Sequence, residues 1–213
     1  MRVLVFDTET TGLPDGYPSF YETKKWPHVV QLSYCLYDCI LNKIIIENDH
    51  IISVGDDVVI SPKSIEMHKI TKELSQNKGI PIERALETFN VCLKSADVII
   101  AHNYSFDKRM LIVEHIRSAN RAQNIRNYAL KNQKQLFPSY KKEFCTMKES
   151  KDLCNIKAIS SKDGEEYIKY PSLSELHQKL FGFLPDQTTI HNSLIDVRIC
   201  LKCGLELLRR IKR

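Results

Sequence analysis

Residues 3–13 read VLVFDTETTGL. The continuous apolar run is the pattern of a central strand buried on both faces. It ends in two acids, Asp7 and Glu9, with Thr8 between them. Side chains on a strand alternate faces with period two, so the two carboxylates point the same way. Like charges held side by side repel, and burial sharpens the repulsion. A chain that keeps this arrangement needs something positive beside it. The fold must therefore carry a central strand whose end delivers two carboxylates to one place.

The remaining pattern says what surrounds that strand. HVVQLSYCLYD (28–38) and NKIIIENDHIIS (42–53) read as two further strands, and the short Asp38–Asn42 connection makes them a hairpin. From SPKSIEMHKIT onward the pattern is helical, with Ile65, His68 and Ile70 near one face. Residues 80–96 repeat apolar residues at helical spacing, with Pro81 near the start. DVIIAHN is a short buried strand, and 105–119 is a helix for which Ser105 is the expected N-cap. Residues 120–142 are polar and suit an exposed helix or a long connection. Residues 155–171 place a Lys-Asp-Gly-Glu turn between two alternating segments, a small hairpin or a flexible loop. PSLSELHQKLFG (171–182) is a helix capped by Ser172 or Ser174 and stopped at Gly182, and 193–212 form a last amphipathic helix. This order argues an α/β fold, a mixed sheet covered by helices. The 213 residues suit one domain, 1–213, without linker or repeat.

Composition excludes several classes. A content of 43% hydrophobic and 27% charged residues is that of a globular chain with a core. No apolar run approaches the ~20 residues of a membrane span. The N-terminal apolar run is too short for a signal peptide, so an intracellular, cytoplasmic protein is expected, nuclear if the source is eukaryotic or viral. Seven cysteines scattered through regular segments suit a reducing compartment rather than a disulfide scaffold. Cys200 and Cys203 form a CxxC inside a helical pattern with no second ligand pair, so they read as core cysteines. A net charge of +5 is compatible with an anionic partner, and equally with simple solubility.

Two more acids stand in telling places. Asp107 follows the strand DVIIAHN at the first turn of a helix, and Asp196 lies in the first turn of the last helix, five residues after His191. Each alone has an ordinary explanation, since acids complement the helix dipole. Together, Asp7, Glu9, Asp107 and Asp196 sit at element ends that can converge on one sheet edge. Oxygen ligands of this kind suit Mg²⁺ or Mn²⁺. Two such ions ~4 Å apart form the device that stabilises attacking and leaving oxygens in phosphodiester chemistry. His191, in a loop before the last helix, is a general-base candidate or an ordinary surface histidine.

VFDTETTGL, AHNYSFDKRML and HNSLIDVRIC, in this order, resemble the three motifs of the DEDDh 3′–5′ exonucleases, the family that includes the proofreading subunit of bacterial DNA polymerase III. ISPKSIEMHKIT and PSLSELHQKLFG are similar to further family segments, so the likeness runs nearly end to end. The resemblance implies a ribonuclease-H-like fold with a mixed five-stranded sheet, its fifth strand expected near EFCTMKE (143–149). It implies two Mg²⁺ or Mn²⁺ ions on Asp7, Glu9, Asp107 and Asp196, with His191 as general base, and release of nucleoside 5′-monophosphates from a nucleic-acid 3′ end. Thr8, Thr10, Thr11, Leu13, His68, Asn103 and Phe106 are then the expected substrate contacts, although core packing equally accounts for Leu13 and Phe106. Single-stranded DNA is favoured over RNA, a DNA polymerase is a partner of the proofreading type, and segments 120–142 and 155–171 shape the substrate channel. The alternatives are an RNA-directed enzyme of the same branch and a non-catalytic nucleic-acid or polymerase-binding module.

Overall fold

A computed structural model describes residues 1–121, 137–138, 140–185 and 192–211. Strand β1 (Arg2–Thr10) lies at the centre of a five-stranded sheet. It pairs antiparallel with β2 (Val29–Asp38), which pairs antiparallel with β3 (Lys43–Ile51), the expected hairpin. On its other side β1 runs parallel to β4 (Val98–Ala101), and β4 runs parallel to β5 (Lys142–Cys145). The spatial order is β3-β2-β1-β4-β5, a mixed sheet flanked by helices.

Alternation along β1 divides the core in two. Leu4 and Phe6 pack with α3 (Ile82–Ser95) and α4 (Tyr104–Arg121). Val3 and Val5 pack on the opposite face with α8 (Ser193–Ile211) and with Leu176 of α7 (Leu173–Phe181). Both faces of β1 are buried, which is why it reads as an unbroken apolar run. Parallel pairing also brings the ends of β1 and β4 to the same edge. Asp7 and Glu9 stand there, and the chain leaving β4 turns at once into α4.

Several expectations are adjusted. The helical stretch after Ser61 is two helices, α1 (Pro62–His68) and α2 (Lys72–Lys78). Lys69 adopts a left-handed φ of 62° and ends α1, so Ile70 lies outside it, and the Thr71 side chain caps α2. Helix α4 starts at Tyr104, so Ser105 is inside the first turn rather than capping it; Asn103, at φ 68°, makes the turn. Only the first half of 143–149 is strand, because Thr146–Glu149 (α5) is helical, followed by α6 (Lys151–Cys154). Phe137, inside the stretch expected to be exposed, is buried against Phe6, Phe89 and Tyr104; residues 122–136 lie outside the described residues.

The 155–171 segment is a hairpin, β6 (Ile156–Ile159) paired antiparallel with β7 (Glu166–Lys169). Ser172 caps α7 in a reciprocal capping box with Glu175, and Gly182 stops it at φ 86°. All seven cysteines are free, and Cys200 and Cys203 are buried in the α8 layer. No helix among the described residues is long and apolar enough to cross a membrane.

Candidate active site

The site assembles where β1, β4 and two helix N-termini meet. Asp7 and Glu9 leave β1 on the α8 face, opposite Ser33 and Gln31 of β2. Ser33 and Gln31 both donate to Asp49 of β3, at 2.7 Å each, so they turn away from the two acids. Asp196 enters from the first turn of α8. The Ser193 hydroxyl donates to the Asp7 carbonyl at 3.3 Å and fixes that helix start against β1. Carboxylate oxygens of Asp7, Glu9 and Asp196 lie within 4.8 Å of one another.

Three acids this close distort each other's titration. Burial first, then the charges of Asp7 and Asp196, push the Glu9 carboxyl up to about 8. Without a counter-charge Glu9 holds a proton at neutral pH, which is the electrostatic answer to the crowding of carboxylates. A hard divalent cation relieves the same repulsion, and an all-oxygen donor set is what such a cation takes. The residues present fit a metal of the magnesium class.

Asp107 stands beside this group and is not a member of it. It is buried in the first turn of α4, where one carboxylate oxygen accepts from the Thr8 amide at 3.1 Å and from the Thr8 hydroxyl at 2.7 Å. Burial, followed by the charge of Asp7, raises its pKa well above the usual carboxylate range, and the Thr8 hydrogen bonds oppose this. Four acids thus reach one sheet edge, three as a cluster and the fourth held on Thr8. His191 lies outside the described residues.

The other expected residues divide by position. Hydroxyls of Thr8, Thr10 and Thr11 are engaged within the chain: Thr10 donates to the Gly12 carbonyl at 2.7 Å, and Thr11 accepts from the His28 amide at 2.9 Å. His68 is buried at the end of α1, its Nδ1 accepting from the Ile70 amide at 3.0 Å. That leaves Nε2 to donate to the Thr10 carbonyl at 3.3 Å, which makes the ring the neutral Nε2–H tautomer. Burial lowers its pKa and keeps it neutral. His68 thereby ties α1 to the end of β1. Leu13, at 83% exposed, is not a core residue. Phe106 packs partly against the α3–α4 core, and Asn103 is exposed at its turn.

Two supports escaped the sequence reading. Arg117 of α4 donates to the carbonyls of Thr23, Trp26 and Pro27 and pairs with buried Glu114 at 2.6 Å, clamping the 14–27 loop onto the helix. His102 joins the Thr146 hydroxyl, at 2.9 Å, to the Pro171 carbonyl, at 3.1 Å, and so holds the end of the β6–β7 segment against the β4–α4 turn. Acids and basic residues at i, i+3 on an amphipathic helix are a weak hint of the first; the second has no local signature.

A parallel β1–β4 pair inside a mixed sheet, with acids gathered at the strand ends, defines a ribonuclease-H-like nuclease domain. Solved structures agree on the fold. E. coli exonuclease I in complex with a dT13 oligonucleotide superposes with a TM-score of 0.63 at 16% identity, over 98% of this chain and 41% of that one. Exonuclease I from Methylocaldum szegediense gives 0.63 at 15% identity, over 98% and 40%. The zinc-bound E. coli exonuclease I–single-stranded DNA complex gives 0.65 at 14% identity, over 100% and 41%. The chain spans about two fifths of the length of these exonucleases. No match was found among curated proteins. The RNase_T exonuclease family model matches residues 4–203, nearly the whole sequence, and the chain belongs to that exonuclease family.

Proposed function

We propose that the chain, 1–213 acting as one unit, hydrolyses the terminal phosphodiester at the 3′ end of single-stranded DNA and releases nucleoside 5′-monophosphates. The observation that carries the reading is the convergence of Asp7, Glu9 and Asp196 oxygens within 4.8 Å. That cluster opposes folding, because half-buried carboxylates held this close repel one another. Asp7, Glu9 and Asp196 would hold one Mg²⁺ or Mn²⁺, and Asp7 with Asp107 a second. When bound, the ions supply Lewis-acid polarisation of the phosphate and charge neutralisation at the reacting oxygens.

The chain's own residues do the rest. His191 takes the proton of the attacking water. Thr8 keeps Asp107 aimed at the strand end. Leu13 and Phe106 would contact the terminal base, and Thr10, through the carbonyl that His68 holds, would set the loop that carries Leu13. Hairpin 155–171 would bound the approach of the strand; most of segment 120–142, given the same role from the sequence, lies outside the described residues. DNA is favoured because exonuclease I structures that share the fold hold single-stranded DNA.

The test uses 5′-labelled single-stranded DNA and RNA of matched sequence, with Mg²⁺ or Mn²⁺ and a chelator control. A ladder shrinking from the 3′ end, abolished by chelator and by Asp7→Asn, is expected, with DNA cut faster. Retained activity in Asp7→Asn would overturn the assignment, and faster RNA cleavage would move it to the exoribonuclease reading.

A further inference from the structure

A cavity of about 420 Å³ lies outside the acid cluster, along the outer face of α4. Its walls include Phe20 from the clamped loop, Tyr104, Lys108 and Arg109 from α4, Glu143 from β5, and Lys148 from α5. Tyr104 and Lys108 lie on the first helical turns of α4, the turns that also carry Asp107. The groove and the site thus share the N-terminal turns of α4.

The lining is chemically specific. Lys108 is committed to Glu143 at 2.5 Å, so that pair is neutral. Arg109 and Lys148 are exposed and have no ion-pair partner among the described residues. Two uncompensated cations thus face the groove, a field that attracts an anion. Phe20 is stacked on buried Trp26, with ring centroids 6.0 Å apart, and is held firmly as a flat apolar wall. The Tyr104 hydroxyl is buried beside the Glu143 carboxylate, and burial, then that carboxylate, raise its pKa. Cations and a rigid aromatic wall together suit a nucleotide unit, which offers phosphate charge and a π-face.

We infer that this α4–β5 groove is a second nucleic-acid subsite, holding one or two nucleotides on the 5′ side of the bond to be cut, with Arg109 and Lys148 on the phosphates and Phe20 against a base. The inference rests on the exonuclease reading for the direction of the strand. Occupancy of the groove makes longer strands bind better than short ones without entering the chemistry.

The experiment compares wild type with the double variant Arg109→Ala/Lys148→Ala. Hydrolysis of oligothymidylates two to six nucleotides long is measured beside that of the p-nitrophenyl ester of thymidine 5′-monophosphate, which is too short to reach the groove. Anisotropy of labelled dT6 with Ca²⁺ is followed against salt. Wild type is expected to gain affinity with length, and the double variant to lose that gain, with kcat on the ester unchanged. The slope of log Kd against log salt should fall by about 1.4, roughly 0.7 for each single-strand phosphate that the variant no longer neutralises. Phe20→Ala should weaken dT6 binding and leave that salt slope in place. Equal length dependence and equal salt slope in wild type and double variant would overturn the groove. A wild type that cuts neither ester nor oligonucleotide would overturn the exonuclease reading instead, and dT6 anisotropy would still decide the groove.

Discussion

Thr8 and Asp107, 99 residues apart in sequence, meet through two hydrogen bonds onto one carboxylate oxygen, from the Thr8 amide and hydroxyl. The strand that supplies Asp7 and Glu9 on one face thus grips the third motif acid with its other face. Replacing Thr8 by the isosteric Val removes the hydroxyl donor and keeps the amide. A hydrogen bond to a charged group is worth about 1.5–3 kcal/mol. Turnover on a DNA oligonucleotide should fall about tenfold to a hundredfold, with KM little changed, as steady-state kinetics will show.

Glu9 makes the metal-free protein sensitive to base. Its folded pKa of about 8 is above the ordinary value of 4.5, so its protonation favours the native state at low pH and that contribution is lost as pH rises through about 8. Metal-free wild type should therefore lose stability between pH 5 and 9 relative to Glu9→Gln, by roughly 3 kcal/mol after allowance for solvent screening. Thermal melts in chelator across that range test this. Added Mn²⁺ should raise the wild-type Tm and leave Glu9→Gln much less affected.

Arg117 donates to three loop carbonyls and to the buried Glu114 carboxylate, which also accepts from the Val29 amide. Arg117→Ala leaves that carboxylate buried without its guanidinium, a change that costs about 3–5 kcal/mol. Arg117→Lys should recover only part of the loss, because one ammonium cannot reproduce the planar fork. Urea denaturation measures both.

His102 predicts an acid-side loss of stability. Burial depresses its pKa from 6.5 to about 4, against a weaker opposing effect from the Pro171 carbonyl. Below pH 6.5 the unfolded chain takes up a proton that the folded chain refuses, so stability falls as pH drops towards about 4. The loss at pH 4.5 should reach about 2–3 kcal/mol from this residue. His115, also depressed to about 4 by burial, adds to it. In His102→Gln the slope of unfolding free energy between pH 7 and 4.5 should be shallower than in wild type.

Much of this molecule was legible in one dimension. Apolar period and caps marked β1 to β4, the β6–β7 hairpin and the ends of α7, because burial on one or two faces leaves a repeat in the chain. The acids were legible by a different route, since carboxylates at the ends of apolar elements contradict the hydrophobic pattern around them. Short-range geometry was harder. Lys69 in a left-handed conformation and α4 beginning at Tyr104 follow from contacts such as Ile70 to His68, which no spacing rule contains.

The sequence by itself determined the class of fold, the paired direction of Asp7 and Glu9, and the kind of ion that suits them, because strand alternation and charge are local properties. Only the tertiary structure decided that Asp196 completes a cluster with them while Asp107 is held on Thr8, that His68 spends both ring nitrogens inside the chain, and that Arg109 and Lys148 flank one groove. Those relations join residues tens to nearly two hundred positions apart. They exist because parallel pairing of β1 with β4 and the packing of α4 and α8 on opposite faces bring distant helix starts to a single sheet edge.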